Sequence, residues 1–435
     1  MRIFIIFFLI IFFSTNLNAS EKLKLLSNAP QELEDSGVFK EIDFEKATKY
    51  ESFQIPSNAN PNLTTLQYYF WRDNFTRVPT EYNTYSVLPS IDPYEFNFDL
   101  IEDKTVKKQM ETKPILSYLF FEGDKVVIDE MSPKEKFGKF MNNETKLRSN
   151  SMGKSLVSYL LAHTICEGYI ESVDTKISDW NLVKDTLYEN HSLIDILNMT
   201  SGDQDYVFDS AALVNGKMDY NYRGSGSDID PISVQQNLDF IFKNKKPSKK
   251  IYNYNVMNTN LIHNYILFKT GDNFQKILDK TFKEKARIKN PVYFYKKSAL
   301  KDAGNADSMF YATRYDYLRI AKAIMDDYQK QNCVGKYLKE IYDRRIPKKY
   351  DMSGKGKRGE PQFNRTYSYG GQFHLDYPGL EDKIVFGMGG YGGKAILIDV
   401  EDSRIVILHS QHFNEKEFKY NVKKLLIDPI KKGIN

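Results

Sequence analysis

The sequence predicts an α+β protein: a central antiparallel sheet built from both ends of the chain, with a helical lobe inserted between them. Three observations carry this. Ile115 to Phe121 is β-branched and aromatic, Glu122-Gly123-Asp124 is turn chemistry, and Lys125 to Asp129 is apolar again, which is a hairpin pattern. Near the other end, Lys394 to Val400 and Arg404 to His409 are two apolar strands joined across Glu401-Asp402-Ser403. The long middle instead reads as mostly helical, most clearly at Leu156, Val157, Leu160, Leu161 and Ile165, a stripe that stops at Gly168.

The first residues read as a cleavable secretory signal. Arg2 precedes an unbroken apolar run from Ile3 to Phe13, followed by polar residues ending in Leu17-Asn18-Ala19. That run is well short of the roughly 20 residues a membrane-spanning helix needs, and Ala19 is a small residue suited to cleavage. The expected location is therefore the periplasm or the exterior, with no stable membrane anchor after cleavage. Residues 20–110, rich in Asn, Pro and Tyr, form an N-terminal extension that could cover either lobe. The body then spans 111–435, with a sheet lobe at about 111–150 and 345–435 and a helical lobe at about 155–340. At the C-terminus Asn414 and Glu417 have capping-box spacing, and Phe418, Val422, Leu425 and Leu426 share one helical face.

A composition that is 41% apolar and 14% aromatic supports a globular core, a net charge of +4 on 435 residues carries little information, and no nucleic-acid partner is expected. The Lys-rich run from Lys243 to Lys250 is interleaved with Pro and Ser and reads as a solvated loop. Cys166 falls in the apolar helix stripe, so a buried free thiol is favoured over a disulfide with the distant Cys333.

Chemistry concentrates at Arg148-Ser149-Asn150-Ser151-Met152-Gly153-Lys154. Ser151 sits at a helix start, with the positive end of the helix dipole at its hydroxyl and Lys154 one turn away on the same face. A serine hydroxyl becomes a useful nucleophile once a neighbouring base takes its proton. A capping serine with a surface lysine would read the same way, so the tetrad alone does not decide.

The residues around it extend the pattern. Gly168 to Trp180, Ser192 to Gly202, Ile251 to Ile262, Ala312 to Arg319, Tyr367-Ser368-Tyr369-Gly370-Gly371 and Gly390-Tyr391-Gly392-Gly393-Lys394 follow in order. Over roughly 113–430 the chain resembles the class C β-lactamase and penicillin-binding-protein family, for which Ser-x-x-Lys is a known motif. The resemblance implies a β-lactamase/transpeptidase-like fold and acyl transfer through an acyl-enzyme on Ser151, with no cofactor. It implies Lys154 and Tyr254 as proton-handling partners, Tyr252 being the competing tyrosine. It also implies an oxyanion site made by the Ser151 N–H and an edge strand at Tyr391-Gly392-Gly393, although the glycines could equally form a hairpin bend.

Two departures bear on the substrate. The family's β-lactamases carry an Asn two residues after the tyrosine, where this chain has Val256, and a Lys- or His-Thr-Gly triplet where it has Tyr391-Gly392-Gly393. The pattern is closer to the 6-aminohexanoate-dimer hydrolase and carboxylesterase branch. The expected substrate is a small ester or amide, with β-lactamase or D-alanyl peptidase activity, or non-catalytic peptidoglycan binding, as alternatives. His409 and His412 have no carboxylate or Cys at ligand spacing, so no metal site is expected.

Overall fold

A computed structural model describes residues 84–138, 141–206, 212–214, 217–219, 229–230, 234–296, 306–348, 366–411 and 420–433. In chain order it opens with β1 (Thr84–Val87), β2 (Asn97–Phe98), α1 (Lys104–Thr112), β3 (Ile115–Glu122), β4 (Lys125–Met131), β5 (Leu147–Arg148) and α2 (Met152–Cys166). The middle holds α3 (Leu193–Leu197), β6 (Ala212–Val214), β7 (Lys217–Asp219), β8 (Ile229–Asp230), α4 (Val234–Asn237), α5 (Met257–Thr270) and α6 (Phe274–Leu278). Then come β9 (Val292–Lys296), β10 (Ala306–Ala312), α7 (Arg314–Lys330), α8 (Cys333–Asp343), β11 (Ile346–Pro347), β12 (Ser368–Gly370) and β13 (Phe373–Leu375). The last elements are β14 (Val385–Gly390), β15 (Lys394–Asp399), β16 (Arg404–Ser410) and α9 (Asp428–Lys432).

The large sheet has the order β11-β12-β13-β14-β15-β16-β3-β4-β2. It is antiparallel except where β2 runs parallel to β4. The β16–β3 pairing joins the late hairpin to the early one. Both faces are covered, so β3 reads as a continuous apolar run rather than an alternating one. Leu119 and Phe121 face the main core with the helices, and Tyr118 and Phe120 face a second cluster with Leu425, Leu426 and Ile430. Tyr118 donates to the carbonyl of Leu425 at 2.9 Å, pinning the C-terminal segment to the outer face. Of the expected C-terminal capping residues, Asn414, Glu417 and Phe418 lie outside the described residues.

The middle differs from the all-helical lobe expected. It contains a four-stranded sheet of order β1-β9-β10-β5 and a three-stranded one of order β7-β6-β8. Residues 84–110 are woven into the body: β1 edges the small sheet, β2 edges the large one, and α1 packs on β3 and β4.

Cys166 and Cys333 form a disulfide, correcting the expected free thiol. Cys166 is the last residue of α2, half-buried rather than deep in the stripe, and α2 packs against α8, whose first residue is Cys333. The two Cα atoms stand 5.9 Å apart, within ordinary disulfide reach despite a sequence separation of 167.

Candidate active site

α2 is buried from Met152 to Thr164, which suits a helix that is apolar nearly all round. It lies between α5, α8 and β10 and meets β14 and β15 of the large sheet. Two glycines permit this close approach. A Cβ on Gly153 would lie 1.7 Å from the carbonyl oxygen of Ser308 on β10, and one on Gly390 would lie 2.5 Å from that of Ser149. The turn before α2 is thus clamped between β10 and the end of β14.

Backbone bonds and short side chains hold this turn. Ser149 N donates to Phe310 O at 2.7 Å, and Phe310 N donates back to Ser149 Oγ at 2.9 Å. Asn150 adopts φ 48°, a left-handed conformation that Asn tolerates, and its Nδ2 donates to Tyr391 O at 2.8 Å. Ser151 occupies the N-cap position of α2, yet its hydroxyl caps no backbone N–H. It instead receives Lys154 Nζ at 3.2 Å. Among the described residues the Ser151 N–H meets no hydrogen-bond acceptor.

Lys154 is 4% exposed, and its Nζ stands 4.9 Å from the centroid of the Tyr254 ring. The structure therefore brings Ser151, Lys154 and Tyr254 together. Tyr252 stands beside Tyr254, ring centroids 6.4 Å apart, and packs on Tyr369 at 5.2 Å. The segment bearing both tyrosines is anchored from below by Asp203. That carboxylate accepts from Asn253 Nδ2 (2.8 Å), Asn255 Nδ2 (3.1 Å) and Tyr188 OH (2.8 Å). Burial raises the Asp203 carboxyl above its usual range, against the lowering effect of those bonds. Asn255 also caps α5, accepting from Asn258 N at 2.9 Å. Val256 is exposed at the start of α5 and offers only hydrocarbon to the site.

The edge expected at Tyr391-Gly392-Gly393 is corrected. β14 ends at Gly390, and 391–393 form the turn into β15, with Gly392 and Gly393 at φ 88° and 80°. An adjacent pair of left-handed glycines closes a hairpin and cannot continue an extended strand. Tyr391 nevertheless stays beside the nucleophile through its bond from Asn150, and its side chain is exposed. His409 is fully buried on β16, 5.0 Å ring to ring from Tyr317, and His412 lies outside the described residues.

Sequence reasoning missed several residues here. Tyr369 stands edge-on to Tyr254 at 6.0 Å, and burial, then the neighbouring Tyr254 and Tyr252, push its phenol well above the usual range, so it stays protonated. His374 on β13 lies nearly parallel to the Tyr254 ring at 6.1 Å, and its Nδ1 meets the buried Lys348 Nζ at 2.7 Å. Gln372 joins the β12–β13 turn to α2, α3 and α5. Its Oε1 accepts from Thr259 (2.6 Å), its Nε2 donates to Leu197 O (2.9 Å), and its carbonyl accepts from Ser155 (2.6 Å). Tyr369 stood within a quoted motif but without a role, whereas His374, Lys348 and Gln372 carried no local signal.

No protein-family model matches the sequence, and no curated protein does. Solved structures do match in fold. A Bacillus anthracis protein, described provisionally as a 6-aminohexanoate-dimer hydrolase, aligns with TM-score 0.58 at 13% identity, over 80% of this chain and 90% of its own. D-amino acid amidase from Ochrobactrum anthropi SV3 aligns with TM-score 0.52 at 14% identity, over 76% and 98%. A Bacteroides dorei protein described provisionally as a β-lactamase aligns with TM-score 0.50 at 13% identity, over 75% and 97%. The chain has the β-lactamase/transpeptidase-like α+β fold.

Proposed function

We propose that the chain is an exported serine hydrolase that passes the acyl group of a small ester or amide first to Ser151 and then to water. The observation that carries this is the buried Lys154 Nζ, 3.2 Å from the Ser151 hydroxyl and over the Tyr254 ring. Ser151 Oγ attacks the carbonyl carbon while the Tyr254–Lys154 pair takes its proton. The oxyanion is received by the Ser151 N–H and one backbone N–H of the Tyr391-Gly392-Gly393 turn. Collapse expels the alcohol or amine, which leaves with that proton. Water then attacks the acyl-enzyme with the same pair assisting, and Ser151 is restored.

The fold neighbours support the reaction class, since one is described provisionally as a 6-aminohexanoate-dimer hydrolase and another is a D-amino acid amidase. The exposed Val256, two residues after Tyr254, and the exposed Tyr391 support neutral esters or amides over β-lactams, because Val256 offers no hydrogen bond in place of the Asn amide and Tyr391 no positive charge in place of Lys. Export is supported by the signal-like start and by the Cys166–Cys333 disulfide, which belongs in an oxidising compartment.

Intact-mass analysis after exposure to a fluorophosphonate tests the nucleophile. One adduct is expected, absent from Ser151→Ala; an adduct that survives that substitution removes the assignment. Parallel rate measurements should show short-chain p-nitrophenyl esters cleaved faster than nitrocefin, and equal rates would return β-lactams to the substrate list.

A further inference from the structure

Lys348 follows β11 and reaches across the edge of the sheet to His374 on β13, with 1% and 6% of the two residues exposed. A buried ammonium needs an acceptor, and an imidazole serves as one only while it is neutral. The same Nζ stands 5.8 Å from the Tyr252 ring centroid and 5.7 Å from that of Tyr369. His374 in turn lies at 28° to the plane of Tyr254, and Tyr369 stands edge-on to both rings.

We propose that Lys348 and His374 are a positioning unit for Tyr254. The lysine donates to the imidazole Nδ1, and the imidazole sets the plane of the phenol that takes the Ser151 proton. The proposal rests on the reading of Tyr254 as that group. Among the described residues, the titratable groups grouped around His374 are Lys348 beyond β11, Lys154 from α2, Tyr254 and Tyr252 from the segment before α5, and Tyr369 from β12. Burial, then Lys348, then Lys154 hold the His374 imidazole well below its ordinary range. It therefore stays uncharged through neutral and mildly acidic pH, as an acceptor of the Lys348 proton must.

The test is steady-state ester hydrolysis across pH by the full chain carrying Lys348→Met or Lys348→Arg, each in the wild-type and Tyr254→Phe backgrounds. Lys348→Met is expected to lower kcat about tenfold with KM within about twofold, the scale of a misplaced catalytic group. Lys348→Arg should recover most of the rate, and Lys348→Met should cost nothing further once Tyr254 is Phe. A Lys348→Met enzyme with wild-type kcat overturns the proposal. So does a rate loss that recurs undiminished beside Tyr254→Phe or that Lys348→Arg fails to rescue, since either marks a purely structural role. If Tyr254→Phe is inactive while Lys348→Met is unaffected, the positioning unit alone fails; if Tyr254→Phe is fully active, the reading beneath it fails as well. Should Lys348→Met not fold, the His374 15N resonances of the wild-type protein decide. They should show an unprotonated Nδ1 between pH 8 and about 5, and an ordinary imidazole titration in that range overturns the proposal.

Discussion

The turn that carries Ser151 and the aromatic wall that faces Lys154 meet at one ammonium group but are built differently. The turn is a single short stretch, Ser149 to Lys154, locked by backbone bonds to β10 and by glycines that admit β10 and β14. The wall collects Tyr252 and Tyr254 from the segment before α5, Lys348 from the end of β11, Tyr369 from β12 and His374 from β13. Its geometry depends on anchors such as Asp203, Gln372 and Asn198, none of which reaches a reacting atom. Ser151 and Lys154 thus come from one short stretch that the sheets hold in place, whereas the wall around Tyr254 is assembled from several distant segments.

The sharpest way to break this comparison is to ask whether the two parts act as one. Lys154→Ala and Tyr254→Phe should each lower kcat by about 10² to 10⁴, and the double variant should lose little more than the worse single. Multiplying losses would mean that turn and wall work independently. Tyr252→Phe, in the same wall, should keep most of the activity, and an inactive Tyr252→Phe with an active Tyr254→Phe would exchange the roles of the two tyrosines.

The disulfide offers a second test, because it ties the end of the nucleophile's helix to α8, which leads directly into β11 and Lys348. Closing so long a loop restricts the unfolded chain by up to about 5 kcal/mol. Replacing both cysteines by Ser should lower the melting midpoint while ester turnover at 25 °C persists. Equal midpoints would show that the covalent tie adds nothing to the packing of α2 on α8.

A smaller effect comes from acid. Burial holds His163 on α2 at a pKa of about 4, partly offset by Asp327, and holds His263 on α5 at about 4, partly offset by Asp307. Between pH 4 and 6.5 each binds fewer protons folded than unfolded, so stability falls as pH drops through that window and levels off below it. At pH 5 each histidine should cost about 2 kcal/mol relative to pH 7. Urea midpoints measured at the two pH values check this, and His263→Gln should reduce the slope. A pH-independent midpoint would contradict the buried, neutral state of both rings.

Legibility in the sequence follows the same division. Ser151 and Lys154 could be placed because helical spacing is a short-range property, and the two hairpins because alternation and turn residues are too. Tyr254 was reachable only through resemblance, since nothing local separates it from Tyr252. Lys348 and His374 left no trace, because they meet through the β11–β12–β13 pairing rather than through spacing. Gly392 and Gly393 misled in the opposite direction: a glycine pair after apolar residues fits both a strand that admits substrate and a turn, and only the backbone dihedrals choose. The cysteines were misread because helix position was taken for depth, whereas Cys166 stands at the helix end, where the packing of α8 brings a partner.

The pairing of β3 with β16 also has a consequence in time. Arg404 on β16 bonds Glu122 at the end of β3, 282 residues earlier in the chain. A ribosome has therefore released the nucleophile, its lysine and its tyrosine long before the strand that completes the floor beneath them exists. A chain cut short before Arg404 leaves β3 and β15 each without one of their two neighbours and splits the large sheet at its join. Ser151 and the sheet beside it thus come together only once β16 has been made, so a chain stopped before it holds an unassembled site rather than a weakened one.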